Sequence, residues 1–391
     1  MNLYYSLENK EWFTHSSERL VTIGSHLHPV KKYQTIPAEN LLAFNIDINN
    51  SIPLIGILTG RNKDNNVIGN GQLFKELQKE ILKNGGISVV FTPQNISDSL
   101  NGFIFVPNED KWFPVKSPLP HVVYNRVPFR KQEKSISFYK TYQYFQSKQI
   151  PFFNAFFLNK FEVNQLLSRD PYLQPFIPET IIAAEESSLL LLLNKHKSLY
   201  LKPALGSKGS GIYQIYLNQD GSIKMNGLKN CFTFKDFLSF WGEWGPKLME
   251  KTYIAQEAIT PLLYKGKRFD FRVLVHFSKN RYQPTGIGIR QSQKQEITTH
   301  IPNGGLLIPY HHIQTKEHDQ FFADTAHRIG LLLSEEMGFF GEFSIDVGIS
   351  SNGKYVIYEI NSKPMRFDEE EIEKKRIHLL TELFFEFAGL R

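Results

Sequence analysis

Three oxygen-bearing side chains near the carboxyl end are spaced to meet. Gly341-Glu342-Phe343-Ser344-Ile345-Asp346-Val347-Gly348-Ile349 and Lys354-Tyr355-Val356-Ile357-Tyr358-Glu359-Ile360-Asn361-Ser362-Lys363-Pro364 read as two strands, and Ser351-Asn352-Gly353 between them has the chemistry of a hairpin turn. Glu359 and Asn361 are two apart on the second strand and so share a face. The hairpin can bring Asp346 onto that face. Two carboxylates and an amide oxygen are hard donors, the kind Mg²⁺ takes together with water and phosphate oxygens. The plain alternative is the solvated face of an ordinary hairpin. Against it, Val356, Ile357, Tyr358 and Ile360 make the second strand apolar, and burying Glu359 there unpaired would be costly.

A second candidate is Lys202-Pro203-Ala204-Leu205-Gly206-Ser207-Lys208-Gly209-Ser210-Gly211, set between strand-like runs at 199–202 and 212–217. It is neither a Walker A loop nor a dinucleotide fingerprint, because no helix follows it. A glycine-rich hairpin can act as a flap whose backbone N–H groups close over phosphates, since glycine removes the side chains that would block approach. Lys202 would add a fixed positive charge. Taken alone, such a segment is more often just a turn.

These residues need elements to hold them. Residues 1–50 mix aromatics, β-branched residues and polar breaks, which suggests a small β-rich unit. Ile52 to Leu58 is an apolar run of buried-strand type, Gly71 to Leu82 has helical spacing ended by Gly85-Gly86, and Ile87 to Phe91 is the next strand. That βαβ order implies a parallel sheet. Further on, a helix at 161–167, a strand at 181–184, a helix at 185–197 and a strand at 198–203 are expected. The fold class is therefore mixed α/β, with units at 1–50, 51–155 and 156–391 and a flap subdomain at about 180–255.

Composition bounds the function. The 391 residues are 41% hydrophobic and 21% charged, an ordinary globular balance. A net charge of +6 suits an anionic ligand and does not call for nucleic acid or membrane. The single cysteine, Cys231, excludes an intrachain disulfide and a multi-cysteine zinc site, and fits a reducing, cytoplasmic setting. The leucine run from Leu189 to Leu193 is too short to span a bilayer, and the start lacks the basic-then-apolar pattern of a secretory signal. The twelve histidines show no metal spacing. Arg366 to Arg376 reads as a solvated helix face, and Arg126 is a candidate to approach a substrate.

Together these features resemble the ATP-grasp superfamily: Lys202 with its glycine flap, then Asp346, Glu359 and Asn361 in order. Phe269-Asp270-Phe271-Arg272-Val273 and Gly286-Ile287-Gly288-Ile289-Arg290 extend the likeness. Within the superfamily the chain is similar to the YheC/YheD type associated with bacterial endospore coats, through Ile55-Gly56-Ile57-Leu58-Thr59, Val122-Val123-Tyr124-Asn125-Arg126 and Pro151-Phe152-Phe153-Asn154. The resemblance covers about residues 52–365.

The resemblance implies an open α/β domain followed by an ATP-grasp fold of two α+β subdomains, and it implies roles. Lys160 and Lys202 would hold nucleotide phosphates under a flap of Gly206, Ser207, Lys208, Gly209 and Gly211. Gln256, Glu257 and Ile259 would form the hinge that binds adenine through backbone groups, and Asp270 would contact the nucleotide. Arg290, with Arg272, would hold two anions together, and Asp346, Glu359 and Asn361 would bind two Mg²⁺ (or Mn²⁺) ions. The family's usual reaction makes an acyl phosphate from a carboxylate and ATP, which an amine or thiol then opens. Implied partners are ATP, an unidentified carboxylate and nucleophile, spore coat proteins and a second copy in a homodimer. Two positions depart from the pattern. Ser344 stands where many of these ligases carry Arg, and where they often carry Arg and Asn a few residues before the glycine pair this chain reads Thr298-Thr299-His300-Ile301-Pro302-Asn303. Lys363 or Arg366 would then supply the missing charge. A non-catalytic ATP-binding coat component and a small-molecule kinase are the alternatives.

Overall fold

The structure is a computed structural model and describes residues 2–15, 20–33, 40–46, 51–94, 96–206, 211–228, 230–292 and 305–389. Ser207, Lys208 and Gly209 of the flap, and the 298–303 stretch, lie outside the described residues.

The chain begins with a four-stranded sheet ordered Lys31–Tyr33, Glu11–His15, Asn2–Ser6, Leu41–Asn45. Its Leu3, Tyr5, Trp12 and Phe44 share one core with Leu54, Ile87, Val89 and Ile104 of the next sheet. That sheet is parallel through Ile87–Phe91, Leu54–Leu58, Val122–Asn125 and Phe152–Phe153, with Ser99–Val106 and Lys111–Pro118 added antiparallel at one edge. Helix α1 (Gly71–Lys83) is capped by Asn70, whose side chain accepts from Leu73 N, and Gly85 at φ 84° lets the chain turn out of it. A short α2 (Arg130–Glu133) leads into α3 (Ile136–Ser147), which buries Phe138 and Phe145 on the sheet face opposite α1.

Helix α4 (Lys160–Leu167) starts at Asn159, whose side chain accepts from Phe161 N at 2.9 Å. The second six-stranded sheet follows, ordered Thr180–Ile182, Tyr253–Glu257, Ser198–Pro203, Tyr213–Leu217, Ile223–Gly227, Cys231–Phe234. Strand alternation splits its two faces. Leu199, Leu201, Ile215 and Ala255 meet α5 (Glu186–His196) and α6 (Phe237–Glu250) in one core, and Tyr200, Lys202, Gln214 and Gln256 lie on the other face.

The third large sheet is antiparallel, ordered Leu306–Ile308, Arg281–Gln291, Lys267–Ser278, Glu342–Ile349, Tyr355–Asn361. Phe271, Val273, Phe343, Ile345 and Val347 bury one face under α4 and α7 (Lys316–Met337). Helix α8 (Glu370–Phe387) lies against the other face and continues into the first parallel sheet, where Ile377, Leu380, Leu383 and Phe384 share a core with Ile55, Ile57 and Leu77. The Ser351–Gly353 turn closes as expected: Gly353 has φ 82° and donates to Ser350 O at 2.9 Å.

Candidate active site

The expected convergence is present in the register. Asp346 stands directly opposite Glu359, and Ser344 opposite Asn361. On the other side of the same strand, Asp346 is opposite Arg272, and Asp270 is opposite Arg290. All lie on the sheet face away from α7. Arg290 Nε donates to Asp270 Oδ1 at 2.9 Å, and its Nη2 is 3.2 Å from Asp346 Oδ1. Burial works against the charge on Arg290, but the two carboxylates outweigh it and hold the guanidinium charged above its ordinary range.

The flap sheet meets Glu359 across a narrow cleft lined by Lys160, Leu167, Lys202, Ile254, Gln256, Ile357, Tyr358 and Glu359. The Lys160 ammonium ion-pairs with Glu359, and its backbone N–H donates to Ala204 O at 3.3 Å. Lys202 Nζ donates to Gln256 Oε1 at 2.6 Å. Burial, reinforced by the charge of Lys160, pushes Lys202 down to about 8. A second, more open cleft of about 1220 Å³ is lined by Tyr200, Tyr216, Ala258, Ile259, Pro261 and Arg268. Arg268 Nη1 donates to Tyr200 OH at 2.9 Å and so ties one sheet to the other.

Gln256 and Ile259 therefore line clefts, whereas the Glu257 carboxylate lies on the opposite side of its strand. There it is 3.3 Å from His196 Nδ1 and accepts from Glu179 N at 3.5 Å, and the Glu257 backbone N–H donates to Glu179 O at 2.9 Å. Gly206 donates to Pro203 O at 3.0 Å, and Gly211 has φ 73° with Tyr253 OH 2.9 Å from where a Cβ would sit. Arg272 stacks on Phe367 at 4.9 Å and donates to Met365 O at 3.4 Å.

Other expectations need correction. Lys363 and Arg366 do not supply charge at Ser344. Lys363 is buried, pairs with Glu133 and donates to Val127 O at 3.2 Å, while Arg366 lies 3.6 Å from Glu76. Arg126 does not approach a substrate: it is buried, 3.3 Å from Glu342, and donates to Pro364 O at 3.0 Å. The 366–376 run is not wholly solvated. Arg376 is fully buried and grips Glu342 through Nε and Nη2, both at 2.7 Å, because α8 turns one face onto the polar end of the sheet.

The structure gives physical reasons for several strings. Asn154, buried with φ 55°, donates to Glu342 O at 2.7 Å and accepts from Gly341 N at 3.1 Å. Asn125 donates to Ala155 O at 2.7 Å and to Glu133 at 3.0 Å. These strings bolt the first parallel sheet to the third. In Gly286-Ile287-Gly288-Ile289-Arg290, the glycines make room for α8: a Cβ on Gly286 would meet Ile372 at 2.4 Å, and one on Gly288 would meet Glu369 at 2.6 Å.

The face also holds buried polar atoms without a hydrogen-bond partner among the described residues: Ser344 Oγ, Arg272 Nε, Arg290 Nη1 and Glu369 Oε1. Orphans are rare in a folded interior, and a cluster of them suits a polar ligand.

An open α/β domain, then two α+β units meeting at a cleft lined by two lysines and by Glu359, which is paired across its sheet with Asp346, is the architecture of an ATP-grasp protein. The YheC/D-like ATP-grasp family model matches residues 149–390, and the chain belongs to that family. It is 32% identical over 308 residues to the endospore coat-associated protein YheD of Bacillus subtilis, covering 72% of this chain and 65% of that protein. It is 24% identical over 314 residues to YheC of the same organism, covering 74% of this chain and 84% of that one. The crystal structure of D-alanyl-alanine synthetase A from Vibrio cholerae superposes with a TM-score of 0.50 at 11% identity, covering 86% of this chain and 98% of that one, a likeness of fold. Among the described residues no helix is long and apolar enough to cross a membrane.

Proposed function

We propose that the chain is an ATP- and Mg²⁺-dependent ligase that joins a carboxylate to an amine or thiol through an acyl phosphate, in the context of sporulation. The observation that carries this reading is the direct opposition of Asp346 and Glu359, the latter lining a cleft together with Lys160 and Lys202. Asp346, Glu359 and Asn361 fit Mg²⁺ by donor chemistry: all are hard oxygen donors. Bound metal would neutralise charge on the phosphoryl oxygens.

The chain's own residues would do the rest. Lys160 and Lys202 would hold phosphates, and the Gln256–Ile259 backbone would hold the base. Asp270 and Asp346 orient Arg290, whose Nη1 is left for an anion. The flap around Gly206 to Gly211 would exclude water. We read the units as 1–50, 51–155 and 156–391, and the protein as cytoplasmic, associated with the coat and homodimeric.

The test is ADP and phosphate release over a panel of carboxylates and amines with Mg·ATP. Release confined to a matched pair supports the reading, and nucleotide binding with no release above background across a broad panel counts against it. A second reading, a non-catalytic ATP-binding coat component, is favoured by Ser344, whose hydroxyl is buried and unpartnered where many relatives carry Arg. It expects binding without turnover, and a ligated product would eliminate it.

A further inference from the structure

One cation near the phosphate lysines has no assigned work. Arg130 opens α2, in the unit that precedes the clefts. Its guanidinium lies over the Phe157 ring at 4.9 Å and is partly buried. Phe157 stands three residues before Lys160, and its backbone N–H is pinned by Glu133 at 2.8 Å. Arg130 is thus held beside the stretch that leads into Lys160, within electrostatic reach of Glu359, the partner of Lys160.

Among the described residues it has no ion pair of its own. Burial lowers its pKa, and the carboxylates that act on it electrostatically are Glu133 and Glu359. Both have nearer cations: Glu133 pairs with Lys363, and Glu359 with Lys160. Among the described residues no carboxylate lies within ion-pair distance of Arg130. A partly desolvated guanidinium without a counter-ion, stacked on an aromatic ring that fixes its plane, is poised for an anion that arrives with a ligand. The position of Ser344 is neutral, and Lys363 and Arg366 are engaged elsewhere.

We infer that Arg130 contacts the terminal phosphate of the bound nucleotide and supplies the cation that the position of Ser344 lacks. This rests on the ATP reading above and deepens it: the unit before the clefts would sense whether the nucleotide carries a third phosphate.

The test compares Mg·ADP with Mg·AMP-PNP by calorimetric titration of the full chain. Arg130→Gln should weaken AMP-PNP about tenfold and leave ADP within about twofold. Arg130→Lys should recover part of the loss, because it keeps the charge and loses the planar fork. Phe157→Leu, which removes the stacking platform, should give a smaller loss in the same direction. If Arg130→Gln fails to fold, Arg130→Lys and Phe157→Leu at unchanged melting temperature carry the test. Equal weakening of both nucleotides, or of neither, overturns the inference and leaves the ATP reading standing. A wild-type chain that binds neither nucleotide overturns both.

Discussion

Glu342 and Asp346 stand on one strand, on one face of one sheet, yet their surroundings have opposite designs. Glu342 is fully buried and saturated: Arg376 grips it twice, Tyr124 OH donates to it, and Arg126 lies at 3.3 Å. Burial pushes its pKa up, but those cations outweigh burial and hold it well below the carboxylate range. Asp346 instead shares Arg290 with Asp270, and polar atoms around it are left without partners. A saturated buried network rigidifies a joint; an unsaturated one awaits a ligand. The same strand thus welds domains at one end and presents the candidate site at the other.

The largest effect should come from breaking the welded end. Arg376→Ala leaves a buried carboxylate with too few cations and should cost about 3–5 kcal/mol, read from the denaturant midpoint. At the open end, Asp346→Asn should cost only about 1–2 kcal/mol of stability. It should nevertheless weaken Mg-dependent nucleotide binding by about tenfold or more, as thermal shift with and without Mg²⁺ would report. If the two variants lost stability equally, the contrast would collapse.

Lys202 sharpens it through pH. Its folded pKa of about 8 lies below the ordinary 10.5, so between these values the unfolded chain holds more protons. The contribution of this residue to stability should therefore rise with pH across that window. Phosphate binding favours the charged lysine, so Mg·ADP binding near pH 9 should take up protons. Titration in buffers of different ionisation enthalpy would show this, and Lys202→Met should abolish it. The smallest effect is expected for Ser344→Ala, within about 1 kcal/mol, since the hydroxyl makes no bond to lose.

Much of the site was legible because it depends on local rules. Alternation put Glu359 and Asn361 on one face, and the Lys202 flap stands between readable strands; but the Ser351-Asn352-Gly353 turn alone would pair Asp346 with Tyr358, and a one-residue shift between Asp346 and Val347 is what brings Glu359 opposite it. Lys160 was reachable only through family resemblance, because a lysine opening a helix looks solvated. Arg376 was illegible for the same reason: a charge run looks like surface unless Glu342 is known to lie beneath it. The partners of Lys363 and Arg126 come from distant units, so their engagement was invisible. The signal that could have exposed the joint was there: Glu342, Ser344 and Asp346 alternate with apolar neighbours on a strand too apolar to be wet.

Helix α8 also sets a schedule. Ile55, Ile57 and Leu77 are made early, but the core that covers them is completed by Leu380, Leu383 and Phe384. On the ribosome the first sheet must wait with an apolar groove open until nearly all of the described chain has emerged. Emergence of α8 thus fastens the candidate site's sheet and the first sheet in one stroke, and a chain cut before Glu370 would be left with that groove sticky and open.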